Sequence, residues 1–250
     1  MTGIIIQARM GSTRLPGKMA KKILGKTILE HVIFRLQKIK NPAKIILATT
    51  ISKKDNILES IAKKNKIKVF RGSEEDVLDR YYQAAKQFDI DPIVRITADC
   101  PVLDWQVCDE VINFYLENQF DYVSNVRPPT FPDGLDVEVF SFAALEKSWQ
   151  AAKLKSEREH VVPYIVNHPE IFKIGNLVRN GNDLSDLRLT LDEKDDLILL
   201  KKIYSALYKK NNYFTLNDIL KLFQKNPELL KINQKIKRNE GFLKSLREDK

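Results

Sequence analysis

Apolar residues along the first two-thirds of the chain follow two periods that take turns. Gly3–Gln7 (GIIIQ) is a continuous apolar run, as expected of a strand buried on both faces. Lys26–Ile39 then sets Ile28, Val32, Leu36 and Ile39 at helical spacing. The same exchange repeats: Lys44–Thr50 predicts a second buried strand, and Asp55–Asn65 a helix with Asp55 as its N-cap. Ile67–Gly72 predicts a short strand, Asp76–Phe88 a helix and Pro92–Asp99 another strand. Asp121–Val126 and Leu135–Ser141 read as further strands, the second alternating and therefore half-buried, with a Pro- and Gly-rich loop at Pro128–Gly134 between them. Strands alternating with helices in this way predict an α/β fold with a mostly parallel central sheet and helices on both faces.

Towards the C-terminus the strand signal stops. Leu216, Ile219, Leu220 and Phe223 keep helical spacing, and Pro227 opens another turn. The chain divides into a main domain, 1–212, and a basic helical extension, 213–250, packed on that domain or on the partner of a homodimer. The final RNEGFLKSLREDK reads as a peripheral arm.

Composition adds limits. With 250 residues, 43% hydrophobic and 30% charged, the sequence has the balance of an ordinary globular protein. No apolar run approaches the roughly 20 residues of a membrane span. The N-terminus has no secretory layout, and Cys100 and Cys108 form neither a metal spacing nor a disulfide framework, so a reducing cytoplasm is the expected setting. The net charge of +9 is concentrated: residues 201–250 carry 13 Lys and Arg against 5 Asp and Glu. Lysines on the solvated backs of helices account for that excess, and no nucleic-acid partner is expected.

Chemistry first enters at QARMGSTRLPGK, Gln7 to Lys18. Gly11 and Gly17 enclose five residues, not four, and Met19 stands where a P-loop needs a hydroxyl, so this is not a Walker loop. It is a glycine-containing loop after a first strand, carrying Arg9, Arg14 and Lys18. The glycines permit close approach of an anion, Arg14 can fork two phosphate oxygens, and Lys18 supplies a point charge; three cations suit a triphosphate. In open α/β sheets such loops sit at the carboxyl ends of the strands, where ligands bind. Asp99 ends the strand-like VRITAD there, a position for a Mg²⁺ ligand or for a helix cap. Asp192 follows the strand-like RLTL in the same manner, with the competing reading of an N-cap answered by Asp195.

These blocks carry a resemblance. QARMGSTRLPGK resembles the signature of the cytidylyltransferase branch of the sugar nucleotidyltransferases, the makers of CMP-KDO and CMP-sialic acids. FRGSEEDVLDRYYQAA, VRITADCPVLD, DGLDVEVFS, SEREHVVPYI, LRLTLDEKDDL and NPELLKINQKIKRNEGFLKSL stand in the order of the spore-coat polysaccharide biosynthesis protein F subgroup, so the likeness spans nearly the whole chain. It implies a Rossmann-like nucleotide-diphospho-sugar transferase (GT-A-like) fold. The implied reaction takes a nucleoside triphosphate, CTP favoured, and an acidic or phosphorylated sugar-like acceptor, releases pyrophosphate, and serves surface polysaccharide synthesis.

In that scheme Arg14, Lys18, Asp99 and Asp192 are catalytic, and Asp99 and Asp192 hold Mg²⁺. The nucleotide lies against Gln7, Ala8, Arg9, Met10 and Gly11, with Thr49, Arg71 and Ser73 nearby, although Ser73 equally caps the next helix. The acceptor is left to Asn125, to Asp136 and Glu138 on one strand face, and to Arg158 and His160, the last a candidate base or a structural residue. One block departs from the family: CMP-KDO synthetases carry Gln-Gly-Asp-Glu-Pro where this chain has Thr97-Ala98-Asp99-Cys100-Pro101. Guanylyl or uridylyl transfer, a glycosyltransferase, and a non-catalytic nucleotide- or nucleic-acid-binding protein stay open as alternatives.

Overall fold

The computed structural model describes residues 1–41, 44–238 and 240–249. In chain order its elements are β1 (Gly3–Gln7), β2 (Lys22–Ile23), β3 (Lys26–Thr27), α1 (Ile28–Leu36), β4 (Lys44–Thr50), α2 (Asn56–Lys64) and β5 (Lys68–Gly72). Then follow α3 (Val77–Phe88), β6 (Ile93–Thr97), α4 (Trp105–Leu116), β7 (Tyr122–Ser124), β8 (Glu138–Phe140), α5 (Phe142–Ala151), α6 (Lys155–His160) and α7 (Pro163–Asn167). The last are β9 (Ile174–Asn176), α8 (Lys194–Leu207), α9 (Leu216–Lys225) and α10 (Glu240–Glu248).

Seven strands form one sheet in the order β5-β4-β1-β6-β8-β7-β9. β1 pairs parallel with β4 and β6, β4 with β5, and β7 with β9, while β8 runs antiparallel to both β6 and β7. Only β8 is therefore reversed. The chain leaves β1 towards β4 and β5, then returns to β6 on the other side of β1. That reversal makes the carboxyl ends of β1 and β6 the switch point, with Gln7 opposite Thr97.

Each sheet face has its own core. Ile4, Ile6, Leu47, Val94, Ile96, Val123 and Val139 point to the face covered by α1, α2, α4, α8 and α9. Ile5, Ile46, Ala48, Ile93, Tyr122 and Phe140 point to the face covered by α3, α5 and α7. Alternation along each strand thus feeds two helical layers, as the buried runs predict. Leu216, Ile219 and Phe223 of α9 lie in the first of these cores. Helix starts are marked by side chains: Thr27 and Glu30 form a capping box on α1, and Asp76, Asp104 and Ser141 cap α3, α4 and α5. Among the described residues no helix is long and apolar enough to cross a membrane.

Three local expectations are corrected. β8 is buried on both faces, not half-buried, because helices cover both sides of the sheet where it lies, and Glu138 on it is 4% exposed. The RLTL run forms no ladder strand: Leu189 N–H donates to Asp133 O, Leu191 N–H to Asp99 O, and only an isolated bridge joins Arg188 to Asp133. Its alternation reports that Leu189 and Leu191 are buried, which two loops accomplish without a neighbouring strand. The cap of α8 falls on Glu193 with Asp196, one residue beyond the Asp192–Asp195 pairing.

Candidate active site

β1 runs into a loop that ends at Gly17, whose φ of +67° lies in the left-handed region, and a single 3₁₀ turn, Lys18–Ala20, follows. The turn buries Lys18 at the switch point. Its ammonium donates to Asp99 Oδ2 at 2.8 Å, to Asp192 Oδ1 at 2.8 Å and to Leu191 O at 2.9 Å, so all three donors are satisfied. Arg14 reaches the same Asp192 oxygen at 2.9 Å, with Glu193 at 3.8 Å and Glu240 at 3.6 Å. Two residues of the opening loop and two carboxylates distant in sequence are thereby gathered at one point.

Behind them lies a second tier, of which sequence reading singled out Asp136 and Glu138 but not Arg95, Asp133, Arg188, Asp196 or Arg238. Arg188 holds Asp192 Oδ2 at 2.9 Å, Asp133 at 2.7 Å and Asp196 at 2.9 Å. Arg238 holds Asp136 at 2.8 Å and stands 3.9 Å from Asp133. Arg95 of β6 pairs with Glu138 of β8, which also accepts from the Tyr122 hydroxyl at 2.6 Å. A cavity of about 300 Å³ opens beside Asp99 and Asp192 and is also lined by Arg14, Asp136, Glu138 and His160. Asp133 and Arg238 had a faint signal, an acid in a Pro-Asp-Gly turn and a cation in the tail; neither carries a spacing that marks it.

The electrostatics follow the geometry. Burial alone would lower the Lys18 ammonium, but the Asp99 and Asp192 charges more than offset it and hold it above its ordinary value. Burial would raise Asp99, yet the Lys18 charge and hydrogen bond bring it down to about 2. Burial pushes Asp136 up to about 7 against the pull of Arg238. His160 is drawn down to about 4 by burial and by the Arg95 cation, and its Nε2 lies 3.0 Å from Ser245 Oγ. Burial thus disfavours its charged form, and its ring is engaged with Ser245.

The remaining sequence candidates support the loops and do not line this cavity. Thr49 Oγ1 donates to Asp55, Arg71 ties down Thr50 O, Ser52 O, Asn56 and Glu59, and Ser73 Oγ accepts from Asp76 N–H. Asn125 holds Leu135 O and Val137 N, steering the segment that carries Asp136, and Arg158 is bound to Asp76 and Trp149 O. Arg9 lies 4.0 Å from Glu74, across from Gly11, and Ala8 N–H donates to Ala48 O. Gln7 Oε1 is buried at the end of β1 without a partner among the described residues.

Asp55 differs most from its expected role. It takes the N-cap position of α2 but makes no capping hydrogen bond there; its carboxylate turns inward and accepts from Met10 N–H at 2.8 Å, Thr50 N–H at 3.2 Å and the Thr49 and Thr50 hydroxyls at 3.1 and 2.6 Å. It thus ties the opening loop to the end of β4. Replacing it by Ala leaves several buried donors without an acceptor, and Asp55→Ala is expected to cost about 2–4 kcal/mol in urea unfolding. Unchanged stability would mean that the loop is fixed by other contacts.

The opening loop thus brings its cations against Asp99, just beyond the end of β6, and Asp192, on a loop, at the switch point where ligands bind in open α/β sheets. The chain belongs to the cytidylyltransferase family, whose model matches residues 3–236. It is 41% identical over 241 residues to an uncharacterized protein of Methanocaldococcus jannaschii, covering 93% of this chain and 94% of the relative. It is 31% identical to the spore coat polysaccharide biosynthesis protein SpsF of Bacillus subtilis, covering 90% and 94%. Among solved structures, a cytidylyltransferase from Leptospira borgpetersenii superposes with a TM-score of 0.85 at 39% identity, covering 92% of this chain and 96% of that one. CMP:2-keto-3-deoxy-manno-octonic acid synthetase shares the fold, with a TM-score of 0.63 at 14% identity over 82% and 98% of the two chains.

Proposed function

We propose that the protein is a Mg²⁺-dependent cytidylyltransferase that couples CTP to an acidic or phosphorylated sugar-like acceptor and releases pyrophosphate, in the synthesis of a surface polysaccharide. The observation that carries this reading is the Lys18 ammonium bridging Asp99 and Asp192, with Arg14 on the same Asp192 oxygen. The name of the Bacillus subtilis relative supports the polysaccharide setting.

The donor set fits Mg²⁺. Asp99 Oδ2 and Asp192 Oδ1 already converge on one cationic centre, and among the described residues no group of three or more His, Cys, Asp or Glu could cage a metal. Two carboxylates that leave the other positions to phosphate and water are what Mg²⁺ accepts. When bound, the ion would supply Lewis-acid polarisation and charge neutralisation at the phosphates.

The chain's own residues do the rest by position and charge. Arg14 and Lys18 exchange their carboxylate partners for the β- and γ-phosphates and then neutralise the departing pyrophosphate. Gly11 lets the loop backbone approach the phosphates, and Arg9 stands at its edge. Gln7 offers a base edge an unpartnered acceptor. The acceptor oxygen, held in the cavity beside Asp99, attacks the α-phosphorus in line; its bond to phosphorus forms as that to the β-phosphate bridge breaks, and where that oxygen is a hydroxyl its proton passes to water, whereas a phosphate oxygen carries none. No covalent enzyme intermediate is needed, since orientation and charge supply the rate.

Thermal stability with CTP, GTP, UTP, TTP and ATP, each with Mg²⁺ and with EDTA, tests the donor. CTP with Mg²⁺ at a hundred times its dissociation constant is expected to stabilise the fold by about 2.7 kcal/mol, and the gain should vanish in EDTA. Stabilisation by GTP or UTP alone would replace the donor. A response indifferent to EDTA, or pyrophosphate release surviving in both Asp99→Asn and Asp192→Asn, would remove the metal role.

A further inference from the structure

The two oxygens of Asp192 have different partners. Oδ1 faces the opening loop, where it accepts from Lys18 at 2.8 Å and lies 2.9 Å from Arg14. Oδ2 accepts from Arg188 Nη2 at 2.9 Å. The cations on Oδ1 come from a loop that, in the reading above, exchanges them for phosphates; the cation on Oδ2 comes from the scaffold. Asp99 lacks such a second cation, since among the described residues its carboxylate pairs with Lys18 alone.

Arg188 is itself fixed. Its Nε and Nη2 fork the carboxylate of Asp196, on α8, at 2.9 and 3.1 Å, and its Nη1 donates to Asp133 Oδ2 at 2.7 Å. Asp196 Oδ2 also accepts from the Asp192 and Glu193 N–H groups at 2.8 and 2.9 Å. Asp192 is therefore held twice, at its backbone N–H by Asp196 and at its Oδ2 by Arg188. The C-terminal extension closes the frame: Asn233 Nδ2 donates to Asp196 Oδ1 at 2.9 Å and to Arg188 O at 3.1 Å. Arg188, Asp196 and Asn233 are all buried, so a partner lost from this frame is not readily replaced by water.

Buried charges of this kind add little net stability, because desolvation takes back most of what pairing gives. What they add is geometry. One oxygen of Asp192 is committed to Arg188, and one is left towards the site. That difference matters to a dication. Ca²⁺ accepts a carboxylate through one oxygen or both in a flexible shell, whereas Mg²⁺ demands a near-ideal octahedron, which the narrow bite of a two-oxygen carboxylate distorts.

We infer that Arg188, set in place by Asp196 and Asn233, is a positioning residue that makes Asp192 a one-oxygen ligand and so favours Mg²⁺ over Ca²⁺ at the site. This rests on the metal-dependent nucleotidyl-transfer reading above. It deepens that reading by assigning the choice of cation to a side chain behind the ligand, and by giving the C-terminal extension a route to the site through Asn233.

Thermal stabilisation of the full chain tests it, with a non-hydrolysable α,β-methylene analogue of CTP held constant and Mg²⁺ or Ca²⁺ titrated. The quantity read is the ratio of the two half-saturating metal concentrations. Arg188→Lys keeps the charge but cannot fork Asp196 and reach Asp192 together. In that variant the half-saturating Mg²⁺ concentration is expected to rise about tenfold, the low end of the cost of losing a partner of a metal ligand, and that of Ca²⁺ by less than about threefold. Asn233→Ala leaves every charge in place and removes only the anchor, so it should move the ratio the same way by about threefold. A general loss of stability lowers both melting curves alike and leaves the ratio where it was. An unchanged ratio in Arg188→Lys would mean that the frame only supports the fold, and overturns the proposal; should that variant fail to fold, an unchanged ratio in Asn233→Ala does the same. The absence of any metal-dependent stabilisation in the unaltered protein is a different result: it removes the metal reading itself, and the proposal with it.

Discussion

Lys18→Met is expected to lower kcat for nucleotidyl transfer by about 10²–10³-fold, the cost typical of removing one preorganised group that meets developing charge. Met keeps an unbranched apolar stem close to that of Lys and removes the terminal charge and donors. The same change should destabilise the fold, because Asp99 and Asp192 are then left facing each other without their common cation. Removing one partner of a fully buried pair costs about 3–5 kcal/mol. Here the side chains keep some exposure, 10% for Lys18, 16% for Asp192 and 26% for Asp99, so about 2–4 kcal/mol is the expected loss near neutral pH. Two further readouts separate this cause from a packing defect. Mg²⁺ should restore part of the lost stability without nucleotide, since a dication replaces the ammonium between the carboxylates. The pH dependence should also change. In the unaltered protein Asp99 is held at about 2 instead of its ordinary 3.8, so its contribution is present above about pH 4 and is lost as pH falls towards 2. Without Lys18 the carboxylates gain from protonation, and the gap between variant and parent should narrow over that window. A gap that is constant from pH 2 to 7 and indifferent to Mg²⁺ would mean that Lys18 acts only as packing.

The sequence makes legible what depends on near neighbours. Continuous apolar runs identify β1, β4 and β6, and helical spacing finds α1 to α3, because burial on both faces of a parallel sheet leaves that mark locally. The loop between Gln7 and Lys18 stands out for the same reason: glycines and cations crowd one short stretch. What pairs with what is a long-range property. Lys18 meets Asp99 and Asp192 from 81 and 174 positions away, and no local pattern encodes those distances. Asp55 looks like a helix cap because acids before helices usually are, but the orphan hydroxyls and N–H groups at the end of β4 outbid that role. Asp136 and Glu138 alternate as one strand face should, yet only the folded sheet sets Arg95 opposite Glu138 and Arg238 beside Asp136. The C-terminal helices show an apolar stripe that asks for a surface without saying which. That Lys237 and Arg238, between α9 and α10, also line the cavity rests on long-range contacts, Arg238 with Asp136 and Phe131 O, that no local pattern encodes.

Gly134→Ala should be the most damaging small substitution in the chain, through backbone and not through chemistry. Gly134 sits at φ +103°, outside the region open to residues with a Cβ, and a Cβ there would lie 2.5 Å from Thr190 N and 2.6 Å from Leu189 C. Those are backbone atoms, held by the bonds from Leu189 N–H to Asp133 O and from Leu191 N–H to Asp99 O, so they cannot turn aside as a side chain can. Strain at the dihedral and overpacking of this order together cost about 2–5 kcal/mol. Relief requires Leu189–Thr190 to move away, and Asp192 lies two residues further on. The substitution should therefore lower activity as well as stability, even at temperatures where the variant is fully folded. The distinguishing measurement is the pair of Michaelis parameters: displacement of Asp192 weakens the transition state and lowers kcat, whereas mere thermal loss scales with the fraction unfolded and disappears on cooling. Gly25, also at positive φ but with nothing within 4 Å of a built Cβ, provides the control. Gly25→Ala carries the dihedral cost alone, and should lose about 1 kcal/mol with kcat intact. Equal losses of kcat in the two variants would mean that the contact between Gly134 and Thr190 does not position Asp192.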